Sequence, residues 1–562
     1  MADSSRSKLS LQLSRMARVF RDGLRIVRHR GPSQIQFWFI ALAIGIGAGF
    51  AALGFRLGIA ALQAAIYGTD DVQFLHSFAR SLPWYWILTI PIAGGLVVGL
   101  ILDRFTRDGR VRSVADVIEG AALRDGRVET REGLASVAAS LITLSSGGSS
   151  GREGPVVHMA GVISTWFSNR IHADGITGRD LLGCAVAAAV SASFNAPIAG
   201  ALFALEVVLR HFAMHAFAPI VIASAAGTVI NRLNFGDVAE FNLITPGALQ
   251  FYVELPAFLI LGLVCGGIAA VLMRSIFFAE DVGTRIQDRV GLPRWLRPAV
   301  SGAMLGGLAI WYPHIIGVGY ETTVLALKGD ILLHNAIIFT VFKVLAVAIT
   351  FGGRMGGGVF SPSLMIGALS GLAFGWIATN FMPEVSGTDT LYAFAGMGAV
   401  AAAVLGAPIS TTLIVFELTG DWQIGLAVMV SISMSTAVAS RLVDRSFFLT
   451  QLERRDIHLA AGPQAYLLSM FQAGSIMRPP DHQRAADPDR CAELIAGGVC
   501  ITPSTTLETA LPQLDRSADE FIPVVVLKGD DRTPHMVGAL FHVDALKAYN
   551  KALAETAAEE HS

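Results

Sequence analysis

NAPIAGALFALE, from Asn195 to Glu206, returns as GAPISTTLIVFE, from Gly406 to Glu417. Each string places Ala-Pro-Ile before an apolar helix and a glutamate nine residues after the proline, and the prolines, Pro197 and Pro408, stand 211 positions apart. Upstream of each lies a glycine-rich break ending in proline, GREGP at 151–155 and GGVFSP at 357–362, with these prolines 207 apart. Chance recurrence of Ala-Pro in an alanine-rich chain is the bland alternative, but two matched pairs at nearly one offset argue for duplication. Transporter folds are often inverted repeats whose interrupted helices meet at a binding site near the membrane midplane.

The surrounding composition agrees. The chain has 562 residues, 53% hydrophobic and only 15% charged, with mean hydropathy +0.56, which is a membrane composition rather than a soluble one. A formal charge of −2 argues against a nucleic-acid binder, which would show a basic face or stripe. Cys184, Cys265, Cys491 and Cys500 are far apart without CxxC spacing, so neither a zinc site, another metal centre nor a disulfide framework is expected. From Phe37 to about Tyr67 the chain is almost uncharged, longer than the roughly 20 residues a span needs. Further apolar stretches lie near 85–102, 132–145, 155–168, 181–210, 215–231, 250–279, 297–312, 334–351, 362–380, 391–418 and 423–443, several too short to cross alone and many broken by glycine or proline. The expected organisation is a basic segment 1–35, a transmembrane domain 36–456 in two halves (about 36–235 and 250–456), a linker 457–499, a small module 500–550 and a tail 551–562. Arg6, Lys8, Arg15, Arg18, Arg21, Arg25, Arg28 and Arg30 precede the first span without the apolar core of a cleavable signal, so the amino terminus is expected inside. Past Arg454 nothing is apolar enough to span. The tail is expected to be cytoplasmic, with strand and helix from Ile501 to Leu511, strands at Phe521–Leu527 and Met536–Phe541, and a helix from Val543.

GREGPVVHMAG, Gly151 to Gly161, is a glycine-rich turn opening an apolar helix. The first-turn amides of such a helix lack intrahelical partners, and with the positive end of the dipole they favour an anion. Glu153 stands at this start inside an uncharged membrane segment, and an intramembrane carboxylate is by default a functional candidate. Its plain alternative is a cap on its own helix. The two coexist if the carboxylate closes the site when ionised and leaves when protonated. The second break presents Val359 and Phe360 in the same way from the other half. Ser113, heading SVADVIEGA, adds a hydroxyl donor, although a serine there is usually an N-cap. With helix starts, amides and Arg152 but no carboxylate ring, the pore favours anions over cations.

GREGP, GGVFSP, FNAPIAG with its downstream Glu206, and GAPISTTLIVFELTG resemble the signature segments of the CLC family of chloride channels and proton/chloride exchangers, over roughly residues 36–456. The resemblance implies an all-α, multi-pass fold of two inverted halves of tilted and partial helices, carrying a small α/β cytoplasmic domain here. It also implies a homodimer in the cell membrane with a separate anion pathway per subunit. By this resemblance Glu153 matches the gating, proton-linked glutamate. Ser113, the Gly151, Arg152 and Gly154 of the first break, Val359 and Phe360 match the anion-binding positions. Expected partners are chloride, protons and the lipid bilayer, with no cofactor. The chain departs from the family in three places. The family's Gly-Ser-Gly-Ile-Pro reads Arg112-Ser113-Val114-Ala115-Asp116; Phe448, in SFFLTQLERRD, stands where many members have a central tyrosine; and Val207 replaces the inner proton glutamate of many exchangers. A phenyl ring donates no hydrogen bond, so weaker central anion binding is expected.

IMRPP at 476–480, CITPSTTLETALPQL, FIPVVVLKGD and HMVGALFHVDALK partly resemble one cystathionine-β-synthase-type (CBS) module, some of which bind adenine nucleotides. Glu206 and Glu417 occupy equivalent repeat positions, suited to accepting from helix-start amides or to handling ions. His158 is expected to pack. The expected function is chloride transport gated by Glu153, possible proton antiport included, with a passive channel as the alternative. An intramembrane hydrolase would need Ser149 or Ser150 oriented on His158, and a membrane sensor would signal through the tail without ion flux.

Overall fold

The computed structural model describes residues 33–68, 74–212, 214–236, 251–383, 388–419, 422–457, 459, 468, 471–516, 519–528 and 533–560. The basic residues Arg6 to Arg30 lie outside the described residues. Among those described, seven helices are long and apolar enough to cross a membrane, the first being Gln34–Tyr67. Their outward faces carry Phe39, Phe50, Leu96, Leu100, Leu263 and Phe278, all exposed. Trp84, Tyr85 and Trp86 form an exposed aromatic cluster at the start of the Trp84–Phe105 helix, where an interface belt is expected.

The duplication sets the architecture. Val114–Leu123 is matched by Tyr320–Lys328, Glu153–Ile171 by Phe360–Phe381, Gly175–Phe194 by Asp389–Leu405, and Pro197–Phe203 by Pro408–Thr419. Several counterparts pack on each other. Trp84–Phe105 lies against Arg297–Trp311, and their backbones nearly touch: a Cβ on Gly95 would sit 2.3 Å from the Pro298 carbonyl oxygen, and one on Gly302 would sit 2.1 Å from that of Pro91. Small residues permit such approach where no hydrophobic effect drives helices together. Gly175–Phe194 and Asp389–Leu405, alanine-rich and apolar on every side past Asp180 and Thr390, are almost wholly buried at the centre, as an unsided helix must be.

The apolar stretches 181–210 and 391–418 are each two helices. Asn195 (φ 56°) and Gly406 (φ 68°) end the first of each pair in the left-handed conformation, and Pro197 and Pro408 open the second. Proline fits the first turn but cannot continue the helix before it. Past Pro197–Phe203 the chain continues as a π-helical turn, Ala204–Leu209.

In the tail, strand β1 (Phe521–Lys528) pairs antiparallel with β2 (Thr533–Phe541), and Ile501 adds a parallel bridge to Val524. The Leu507–Arg516 and His542–Glu560 helices complete it. Its core of Ile501, Leu507, Leu514, Ile522, Val524 and Leu540 takes in Ala473 as well, and the Arg478 amide bonds the Ala539 carbonyl at 2.9 Å. Part of the stretch expected as linker, 457–499, therefore packs with the module.

Candidate functional site

The two glycine-rich breaks meet. Gly151 and Gly358 form an antiparallel bridge, the Gly151 amide donating to the Gly358 carbonyl at 2.6 Å and the Gly358 amide returning to Gly151 at 2.7 Å. Side chains at either position would block it, since a Cβ on Gly358 would come 2.9 Å from the Gly154 nitrogen. This tie aims the starts of the Glu153–Ile171 and Phe360–Phe381 helices at one small cavity of about 20 Å³. The start of Val114–Leu123, capped by Ser113, arrives from a third direction. Ser113, Val114, Glu153, Gly154, Val359 and Phe360 all line the space, which suits one water-sized particle. Three helix starts bring their positive dipole ends to it.

The rest of its wall is aromatic: Phe194, Phe203, Phe351, Phe447 and Phe448. Ring edges carry the positive part of the quadrupole and tolerate an anion better than faces do. Phe448 is buried at this cavity, so the wall lacks a hydroxyl there.

Glu153 joins this cavity to a second. It and Phe194 line both the central space and a vestibule of about 260 Å³ that includes Arg56, His76, Arg152, His314 and Glu321. One carboxylate oxygen, Oε1, accepts from the Ser361 hydroxyl; the other, Oε2, is buried with no hydrogen-bond partner among the described residues. On the opposite side, Ser113, Phe351 and Gly357 line both the central space and a third cavity of about 130 Å³, beside Gln451, Arg454 and Arg455 where the chain leaves for its tail. Three cavities thus lie in series, with the carboxylate at one neck and Ser113 at the other.

Of the residues expected at the anion, Ser113, Gly154, Val359, Phe360 and Phe448 line the central cavity. Two are placed elsewhere. The Gly151 amide is engaged by Gly358, and Arg152 lines the 260 Å³ vestibule, where it donates to the Ser193 carbonyl at 3.2 Å. Val207 is buried in the π-helical turn.

The flanking glycines and proline absent around Ser113 are replaced by side-chain bonds. Its amide donates to Asp116 at 2.8 Å, Arg455 holds the other Asp116 oxygen at 2.8 Å, and His158 Nδ1 meets the Ser113 carbonyl at 3.3 Å, which calls for the Nδ1–H tautomer. His158 is thus a packed positioning group. Ser150 donates to the Gly356 carbonyl at 3.1 Å, and among the described residues neither Ser149 nor Ser150 bonds His158, which removes the hydrolase arrangement.

Glu206 and Glu417 cap each other's repeat. Glu206 accepts from the amides of Ile409 (3.0 Å) and Ser410 (2.7 Å) and from the Ser410 hydroxyl (2.7 Å), while Glu417 accepts from the amides of Ile198 (3.0 Å) and Ala199 (2.8 Å). The sequence pattern had allowed this role without choosing it. It missed Ser361, although a hydroxyl inside GGVFSP beside an intramembrane carboxylate was a usable signal. It also missed Lys343, fully buried in Leu333–Gly352 and donating to the carbonyls of Ile315 (3.2 Å) and Gly317 (2.9 Å).

Duplicated halves spanning a membrane, with helix starts converging on a small cavity between two vestibules, define a channel or carrier for small anions rather than an enzyme. The chain belongs to the family of voltage-gated chloride channels, whose pattern its residues 94–440 match. It is 33% identical over 396 residues to a putative ClcB-like chloride channel protein of Ralstonia nicotianae, covering 70% of this chain and 91% of that one. Among solved structures it is similar to a slow cyanobacterial Cl⁻/H⁺ antiporter (TM-score 0.66, 21% identity, 75% of this chain and 97% of that one). It is also similar to a eukaryotic CLC transporter (TM-score 0.64, 17% identity, 90% and 97%).

Proposed function

We propose that this protein carries chloride through the three cavities in series, with the Glu153 carboxylate as the gate at one neck and protons exchanged for chloride when that carboxylate is protonated. The observation that carries the reading is the position of Glu153, lining the central cavity and the vestibule together with one oxygen held by Ser361 and the other unpartnered. An ionised carboxylate there competes with an anion for the same helix-start amides. Protonation removes that competition, so gate opening and proton uptake are one event.

Val207 favours a second reading, a passive pathway in which the same protonation only opens the gate. The central cavity, short of a hydroxyl at Phe448, supports weak retention of the ion in either case. The cell membrane is the proposed location, with both termini cytoplasmic and a homodimer as the working unit. The tail is read as a CBS-type module from the segments IMRPP, CITPSTTLETALPQL, FIPVVVLKGD and HMVGALFHVDALK, a reading that its paired strands and flanking helices support. Adenine nucleotide is its candidate ligand.

The test is chloride efflux from liposomes under an imposed chloride gradient and clamped potential, with external pH recorded. Chloride driving protons uphill is the expected result; chloride without protons selects the passive pathway. Glu153→Gln should leave chloride flux but abolish its pH dependence, and a pH dependence unchanged in this variant sinks the gate assignment.

A further inference from the structure

The 130 Å³ cavity on the tail side is built largely of arginine. Five guanidiniums line it, from chain segments far apart: Arg110, Arg297, Arg354, Arg454 and Arg455. Two are neutralised locally, Arg454 by Asp281 and Arg455 by Asp116 at 2.8 Å. The other three have no carboxylate within ion-pair distance among the described residues. Arg297 is buried and donates only to neutral acceptors, the Gly352 and Glu280 carbonyls at 2.8 and 3.0 Å and the Thr284 and Gln287 side chains at 3.1 Å each. Arg354 donates to the Asp108 carbonyl at 3.2 Å. The Glu280 carboxylate, which also lines the cavity, opposes them with a single negative charge.

The packing is specific to these guanidiniums. A Cβ on Gly283 would lie 2.6 Å from an Arg297 guanidinium nitrogen, so only glycine there leaves room for the group. Arg354 takes the left-handed conformation, φ 56°, which a non-glycine residue adopts only where its surroundings hold it. Guanidiniums match tetrahedral oxyanions by paired, planar N–H groups, a match that a spherical halide does not exploit. The space also discriminates by size, since it is several times the central cavity of about 20 Å³ to which it leads.

We infer that this arginine-lined cavity is a binding site for a doubly charged tetrahedral oxyanion, phosphate or sulfate, which is held at the tail-side mouth, is too large to follow chloride inward, and closes the mouth while bound. The closure rests on the chloride pathway proposed above; the binding does not.

The test is equilibrium dialysis of radiolabelled orthophosphate against the purified full chain in detergent, with sulfate and gluconate as competitors. Saturable binding displaced by sulfate but not gluconate is expected, weakened about tenfold or more in Arg110→Gln and in Arg354→Gln. Absence of saturable binding, or binding by both variants as tight as by the parent protein, overturns the site. Dialysis in nanodiscs with and without phosphatidic acid separates two sources of the same chemistry: unchanged orthophosphate binding assigns the free ion, and its displacement assigns a lipid headgroup. In liposomes that pass chloride, phosphate on the tail side should cut the flux several-fold while gluconate does not. Flux indifferent to saturating phosphate overturns the closure. A preparation that passes no chloride at all counts against the proposed function and leaves the dialysis result standing.

Discussion

Replacing Glu206 or Glu417 by alanine should unfasten one half of the molecule from the other, and by different amounts. Glu206 accepts three bonds of 2.7 to 3.0 Å, whereas Glu417 accepts two. Side-chain hydrogen bonds in membrane proteins average about 0.6 kcal/mol and reach about 1.7, so Glu206→Ala should cost about 2 kcal/mol and at most about 5, and Glu417→Ala about 1 and at most about 3. Loss of a carboxylate from a helix start adds about 0.3–1 kcal/mol to each. Glutamine at either site keeps one acceptor oxygen and should cost less than alanine. The assay is SDS-induced unfolding of the purified protein in mixed micelles followed by circular dichroism. The capped helices pack against each other, so the double variant should depart from the sum of the single ones. Alanine variants as stable as the parent would refute the capping role. So would full stability with chloride flux lost, which would move both glutamates into the ion's path.

Phe448→Tyr returns a hydroxyl to the central wall and should tighten chloride binding roughly tenfold or more, read by calorimetric titration of chloride-free protein; an unchanged affinity denies that position a share in the site. Lys343→Met fills the same space but strands the carbonyls of Ile315 and Gly317, and should cost about 1–3 kcal/mol in the same SDS assay, with parental stability the contrary result. Glu321, outside the spans, pairs with His76 at 2.8 Å and accepts from the His76 and Ser77 amides at 3.1 and 3.2 Å. Burial pushes its carboxyl up, but the bonds from His76 and Ser77 outweigh this and hold it below its ordinary value. A lowered carboxyl stabilises fully above its unfolded pKa and loses that contribution only as pH falls through the folded one. Protection factors at the His76 and Ser77 amides should therefore hold in mild acid and fall only in stronger acid, and a fall already near neutrality would contradict this.

What the sequence disclosed, it disclosed through residues with strong local rules. Ala-Pro-Ile after Asn195 or Gly406 marks a helix start whatever surrounds it, and Glu153 stands out because it is the single carboxylate between Glu132 and Asp174. The repeat offset carried the counterpart helices with it. Other features depend on backbone contacts between distant segments and leave little trace. The Gly151–Gly358 bridge uses no side chain, so nothing in GREGP or GGVFSP announced that the Gly151 amide is already engaged. Lys343 sits in an apolar helix, and its partners are carbonyls, which every residue has. Ser113 kept its place without the usual glycines because Asp116, Arg455 and His158 hold it, three residues whose meeting depends on the finished fold.

The reciprocal caps also impose a schedule. The amides of Ile198 and Ala199 wait for a carboxylate 219 and 218 residues further along the chain. At roughly 5–20 residues per second, that is about 10–40 s of synthesis during which the first half has reached the bilayer without its fastening. Glu206, made early, is ready when Ile409 and Ser410 emerge; Glu417 arrives last and closes the older half. The newborn protein is therefore asymmetric in time although its halves match in space, and a chain halted between the two glutamates holds an open helix start that nothing yet made can cover.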